Sequence, residues 1–327
     1  MNPTKKKLYK LAAICTMALA LAACGNDEQP AEEDATNEND TASEETVEKD
    51  RVLTDALGNE VTIPAKPERV LASYLEDNLV ALGITPVAQW SVREGETQGY
   101  LAKELESVPT IPHDLPFEAV TSHNPDLIIM DSPGMVEGGK YDQYNKIAPT
   151  YVIGTEENND WRQELLTIGE IFGREDDAQK VLDDYQAKAD DAKQQLTDAI
   201  GTQSAAAVWL VNNSFFIVSD NLSSGAVMYG DLGLTVPSVV EEISASATGN
   251  WSAISLEKLV ELDADHLFLI NSDTKIEDSA IKEELWQNIP AVKNGNVYEF
   301  GPDTAWLYTG AVANGQIIDH IIENLVK

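Results

Sequence analysis

Residues 161–200 read WRQELLTIGEIFGREDDAQKVLDDYQAKADDAKQQLTDAI, and this stretch organises the rest of the chain. Leu165, Ile168 and Phe172 fall on one stripe, Gly173 interrupts it, and Val181, Leu182, Tyr185, Ala189, Ala192 and Leu196 continue a second stripe at three-to-four spacing. Glu175, Asp176 and Asp177 occupy the first turn of the second helix, where the peptide dipoles favour anions. At 1.5 Å per residue, about 25 residues span roughly 37 Å. That is long enough to run from one lobe of a protein to another.

On both sides of this segment strands alternate with helices. Upstream, Val61–Ile63, Arg69–Ala72, Thr85–Trp90 and Leu127–Met130 read as strands, and Leu75–Leu82 and Phe117–Ser122 as helices. Downstream, Ala205–Val211, Phe215–Val218 and His266–Ile270 read as strands, and Gly225–Leu232, Ser255–Glu261 and Gln316–Val326 as helices. Such alternation predicts parallel sheets. The expected fold is α/β, two Rossmann-like lobes over residues 51–160 and 201–327, joined by the single long helix within 161–200.

A weak repeat relates the halves. Phe117-Glu118-Ala119-Val120 precedes Pro125-Asp126 and the apolar run Leu127–Met130. Leu256-Glu257-Lys258-Leu259 precedes Ala264-Asp265 and the run His266–Ile270. Glutamate and aspartate keep the same separation in both. Upstream, Leu82-Gly83-Ile84-Thr85 is echoed by Leu232-Gly233-Leu234-Thr235.

The N-terminal segment has a different character. Lys5, Lys6, Lys7 and Lys10 precede a short apolar run from Leu11 to Leu21, too short for a membrane span, and then Ala22-Ala23-Cys24. Residues 1–23 read as a lipoprotein signal peptide, with Cys24 the lipidated residue that anchors the protein on the extracytoplasmic face of the cell membrane. The other cysteine, Cys15, lies inside the signal, so no disulfide or cysteine metal site is expected. Residues 24–50 are rich in Glu, Asp, Asn, Thr and Ser and lack aromatics. They read as a solvated acidic tether, because they offer too little apolar surface to offset ordering.

The net charge is −34, and the acid excess continues past the tether. Phosphate-backbone binding is therefore excluded, so no nucleic-acid partner is expected. No Gly-x-Ser-x-Gly elbow, His-Glu-x-x-His, phosphate loop or dinucleotide fingerprint is present, so an enzyme is not expected. A zinc or manganese receptor would need several histidines. His113, His123, His266 and His320 are all there are, and they are scattered.

Beyond these features, Thr54-Asp55-Ala56-Leu57-Gly58-Asn59-Glu60-Val61-Thr62-Ile63-Pro64 and Lys66-Pro67-Glu68-Arg69-Val70 resemble the opening of the iron-siderophore and cobalamin class of periplasmic binding proteins. Leu82-Gly83 with Pro86-Val87, Pro125–Ile129, Ile147-Ala148-Pro149-Thr150 and Asn294-Gly295-Asn296-Val297-Tyr298 continue the resemblance in order, from about Arg51 to Lys327. It implies two α/β lobes on a long helix, a shallow cleft between them with limited closure, and docking of a monomer on a two-subunit ABC permease. It further implies one glutamate per lobe for permease arginines. By position these are Glu118 and Glu257, the pair marked by the repeat. Charge-assisted pairs would fix the docking orientation.

Ligand residues are expected on loops past the strand ends, at the face between the lobes. The candidates are Tyr74, Trp90, Arg93, Asn212, Trp251, Trp306 and Tyr308. For each aromatic taken alone, core packing is the competing role. Trp306-Leu307-Tyr308 ranks first because it follows Gly301-Pro302-Asp303 and precedes the last helix. Ferric citrate and tris-catecholate complexes are anionic, whereas a ferric hydroxamate is neutral or cationic. An arginine-poor, aromatic cleft in an acidic surround favours a hydroxamate siderophore. Cobalamin, haem and ferric citrate remain alternatives on the same fold. Iron would arrive wrapped in its chelator, so no cofactor and no direct metal ligands are expected.

Overall fold

The computed structural model describes residues 49–92, 95–155, 159–277 and 279–326. Cys24, the signal and nearly all of the tether lie outside them, as does Arg93. The first lobe holds β1 (Arg51–Thr54), β2 (Glu60–Ile63), β3 (Val70–Leu71), β4 (Gln89–Ser91), β5 (Thr110–Pro112), β6 (Leu127–Met130) and β7 (Thr150–Val152). Strands β3, β6 and β7 form a parallel sheet in the order β3-β6-β7, β4 and β5 a parallel pair, and β1 and β2 an antiparallel hairpin. Every residue of β6 is buried, which is why it reads as an unbroken apolar run.

The second lobe holds β8 (Ala205–Val211), β9 (Ser214–Val218), β10 (Trp251–Ile254), β11 (His266–Asn271) and β12 (Val297–Phe300) in one sheet, order β10-β9-β8-β11-β12. Strands β8, β11 and β12 are parallel, and β9 and β10 add an antiparallel edge. Asn212 and Asn213 make the two-residue turn between β8 and β9. Both have positive φ, and both backbone nitrogens donate to the Asp273 carboxylate, at 2.8 and 2.7 Å.

The sequence repeat has a structural cause. In the first lobe the Asp126 carboxylate, just before β6, accepts from the backbone nitrogens of Glu68 and Arg69 at 2.8 and 3.0 Å, ahead of β3. In the second lobe the Asp265 carboxylate, just before β11, accepts from Ser204 N at 2.8 Å, ahead of β8. Each aspartate thus ties the start of one parallel strand to the start of its neighbour.

The segment 161–200 forms two helices, Trp161–Phe172 and Glu175–Ile200. Gly173 separates them in the left-handed conformation, with φ 62°, where a side chain would be strained. The long helix buries Tyr185, Ala189, Ala192 and Leu196 of the predicted stripe, and Ala178 besides, against the preceding helix and the closing helix Ala311–Leu325, while Val181 and Leu182 are half-buried. One apolar cluster includes residues from both lobes and all three helices, and smaller clusters fill each lobe.

The structure departs from the expected elements in several places. The strand expected over Thr85–Trp90 begins only at Gln89, since Pro86 has no N–H to donate. The closing helix starts at Ala311 rather than Gln316. The helix expected over Gly225–Leu232 starts at Ser223 and widens over Ala226–Asp231, where Leu232 N bonds Val227 O five residues back at 2.9 Å. Among the described residues no helix is long and apolar enough to cross a membrane.

Candidate ligand-binding site

A cleft of about 500 Å³ is lined by residues of both lobes. Its first-lobe wall comes from the entry to the first helix (Tyr74, Asp77, Asn78), from Asp131 just past β6, and from the start of the Trp161–Phe172 helix (Asp160, Arg162, Glu164). Its second-lobe wall comes from Asn221, Leu222 and Ser223 after β9, Asn250 before β10, and Leu307 and Tyr308.

Each wall is held by identifiable bonds. Asp160 caps the Trp161–Phe172 helix by accepting from Arg162 N at 2.8 Å. The Arg162 guanidinium lies over the Trp161 ring, 4.5 Å from its centre, and donates to Asp231 at 2.9 Å. Tyr185 of the long helix donates to the other oxygen of Asp231 at 2.6 Å. The long helix therefore helps to orient the cation of the cleft. Tyr308 packs on Tyr100 at 5.0 Å, and Tyr100 donates to buried Asp77 at 3.1 Å.

Carboxyls dominate the lining. Asp77, Asp131, Asp160 and Glu164 face it, against the single cation Arg162 among the described lining residues. Asp131 and Glu164 are hydrogen-bonded to each other. Burial, and then the Asp131 charge, push Glu164 well above the usual carboxyl range, so the two groups share a proton. Burial also raises Asp77 to about 6 and its neighbour Glu76 to about 7. Glu76 accepts from Trp90 N at 2.6 Å, which fixes β4 against the first helix.

The candidate residues separate into groups. Tyr74 and Tyr308 line the cleft. Tyr74 has φ 70°, a strained value for a tyrosine, and the residue is 44% exposed. Trp90 supports it from behind, with ring centres 5.4 Å apart. Trp306 is corrected from loop wall to core. It is fully buried and stacked on Phe268 at 4.7 Å, so it has no face to offer a ligand. Asn212 is also corrected. It serves the β8–β9 turn, and the cleft lies at the opposite end of that hairpin. Trp251 begins β10 instead of lying in a loop, and it packs on Trp209 at 6.2 Å while its neighbour Asn250 faces the cleft. Arg93 is outside the described residues.

Sequence reasoning missed the acidic floor. Asp131 was within its reach, since it directly follows a buried strand. Asp77 and Glu164 gave no local signal, because each sits within a helix and meets the cleft only through packing. Glu118 and Glu257 are both exposed, each at the second position of its helix, Phe117–Ser122 and Leu256–Leu259. Neither has an ion-pair partner among the described residues. Among the described residues no group of three or more His, Cys, Asp or Glu side chains is placed to hold a metal ion.

Two α/β lobes, a long helix and a polar cleft lined from both sides define a solute-binding protein. The family model for periplasmic binding proteins matches residues 72–304, and the chain belongs to that family of substrate-binding proteins. It is similar to the iron(3+)-hydroxamate-binding protein YxeB of Bacillus subtilis, 25% identical over 332 residues that cover 99% of this chain and 98% of the relative. It is also similar to the iron(3+)-hydroxamate-binding protein FhuD of the same organism, 27% identical with 98% of each chain covered. A solved FhuD fold-family protein from Bacillus subtilis, the binding component of a Fep/Fec-like ferrichrome ABC transporter, matches with TM-score 0.70 and 25% identity. That match covers 84% of this chain and all of the other.

Proposed function

We propose that this protein is the extracytoplasmic, lipid-anchored binding component of an ABC importer, and that it carries a ferric hydroxamate siderophore to its permease. The observation that carries the cargo reading is the charge of the cleft. Four carboxyls face it, and its one described cation is engaged with Asp231. An anionic ferric citrate or catecholate would meet net repulsion in a space of reduced dielectric, where charge counts for more than in water. A neutral or cationic chelate would not. Tyr74, Tyr308 and Leu307 offer it an apolar and aromatic surface. Two relatives matched along nearly their whole lengths are hydroxamate binders by name.

The docking role of Glu118 and Glu257 belongs to the same reading. Two exposed carboxylates, one on each lobe and without an ion-pair partner among the described residues, are free to meet cations of a partner. Calorimetric titration with ferric hydroxamates, beside ferric citrate, a ferric catecholate, haem and cobalamin, tests the cargo. Binding confined to hydroxamates is the expected result. Tight citrate or catecholate binding without a hydroxamate response would overturn it.

A further inference from the structure

Resting on the hydroxamate reading, we propose that the cargo carries a protonated amine and that Asp131 and Glu164 form the seat that receives it.

The two carboxyls come from different elements. Asp131 is the first residue past β6, and Glu164 lies in the first turn of the Trp161–Phe172 helix. They meet on one wall of the cleft, bonded to each other, with Asn159 bonded to both and Asn78 Nδ2 3.5 Å from Glu164 Oε2. Among the described residues neither carboxyl has an ion-pair partner. Arg162, two positions from Glu164, is turned to Asp231. The fold has brought two acids together and left them without a counter-charge.

A carboxyl pair can settle its own charge by sharing a proton, so the pair alone would say little. The rest of the cleft supplies an independent observation. Gln98 is 5% exposed and Ser223 is 7% exposed; both line the cleft, and their side-chain oxygens have no hydrogen-bond partner among the described residues. Asn78 is 3% exposed, and its Oδ1 is likewise unpartnered among the described residues. Buried polar atoms are nearly always paired, so three such atoms in one cleft point to groups that an occupant supplies. Amide oxygens only accept, and a carboxylate only accepts. The Gln98 and Asn78 oxygens therefore call for donors, whereas the Ser223 hydroxyl can give or accept. The hydroxamate oxygens of a chelate are engaged with iron and are acceptors themselves. The missing donors must come from elsewhere on the cargo. An ammonium brings three donors and the charge that the pair lacks, and charge-assisted bonds out of water are the strong kind. With one proton shared between them, Asp131 and Glu164 together carry a single negative charge, and one ammonium neutralises it without loss of that proton.

The test compares a linear ferric trihydroxamate bearing a free terminal amine with its N-acetylated counterpart, the same chelate without the charge. In the wild-type protein the free-amine form should bind about ten-fold tighter or more. In Asp131→Asn and Glu164→Gln the two affinities should converge to within about two-fold. Equal affinities in the wild-type protein overturn the ammonium seat and leave the hydroxamate reading standing, and this arm needs no variant to fold. A preference that survives intact in folded forms of both variants also overturns it. Failure of both chelates to bind overturns the hydroxamate reading itself.

Discussion

Asp77 caps a helix that lies 236 positions away: its carboxylate accepts from the backbone nitrogen of Ala313 at 2.8 Å and from Val312 at 3.0 Å. Asp77 belongs to the first lobe, and the capped helix Ala311–Leu325 closes the chain. Gly310, at φ 138°, makes room for this contact, since a side chain there would overlap the Asp77 carboxyl. Asp77→Ala removes two charge-assisted bonds to orphan helix nitrogens and leaves the Tyr100 hydroxyl unpaired. We expect a loss of about 2–3 kcal/mol, read by chemical denaturation. Gly310→Ala should also destabilise. Near-wild-type stability for both variants would refute the cap.

Stability should fall as pH rises. Burial lifts Asp77 to about 6, Glu76 to about 7 and Glu164 higher than usual, whereas an unfolded carboxyl titrates near 4. The native state then binds more protons than the unfolded chain. The resulting stabilisation is complete below about pH 4 and is lost by about pH 7 to 8. Thermal melts from pH 4.5 to 8 should show Tm decreasing, with a shallower slope in Glu76→Gln. A Tm that climbs across this range would contradict the assignment.

Trp306 and Tyr308 should behave differently although they are two positions apart. Trp306→Ala empties a fully buried ring site between Phe268 and Phe300 and should cost about 3–5 kcal/mol of folding stability. Tyr308→Ala should leave stability nearly unchanged and weaken cargo binding roughly ten-fold. Denaturation and calorimetry on the same preparations separate the two effects. The reverse pattern would show that the cleft has been misplaced.

Glu118→Ala and Glu257→Ala should leave cargo affinity intact and impair uptake in cells, because both side chains lie outside the cleft lining. Loss of cargo binding by either folded variant would exclude a docking role.

Anchoring rests on Cys24. Its replacement by alanine should release the protein to the medium or leave it as unprocessed precursor, as read by fractionation and by metabolic labelling with a fatty acid. Normal processing with unchanged membrane retention would rule out lipidation at this residue.

The alternation of strand and helix, the break at Gly173 and the long amphipathic run after it were all legible from residue order. Periods of 3.6 and 2 depend on near neighbours alone, as do turns and caps. The repeat of Asp126 and Asp265 was visible for a similar reason, because each acts at a set distance from its own strand. The cleft was only partly legible. Tyr74 and Tyr308 could be found as aromatics near strand ends, but Trp306 could not be separated from them by pattern. Its burial depends on Phe268 and Phe300 from two other strands.

By itself the sequence determined the α/β class, the long connecting helix and the order of both lobes, since these follow from local periodicity and from the punctuation of glycine and proline. Only the tertiary structure decided which side chains share the cleft. Asp77, Asp131 and Glu164 are 87 positions apart at the extremes, and no spacing rule joins them. Their meeting, and the proton affinity that burial confers on them, arise from how the elements of the first-lobe wall pack together. A carboxyl on a short peptide is solvated and ordinary; the same group enclosed beside another, with water removed, is not.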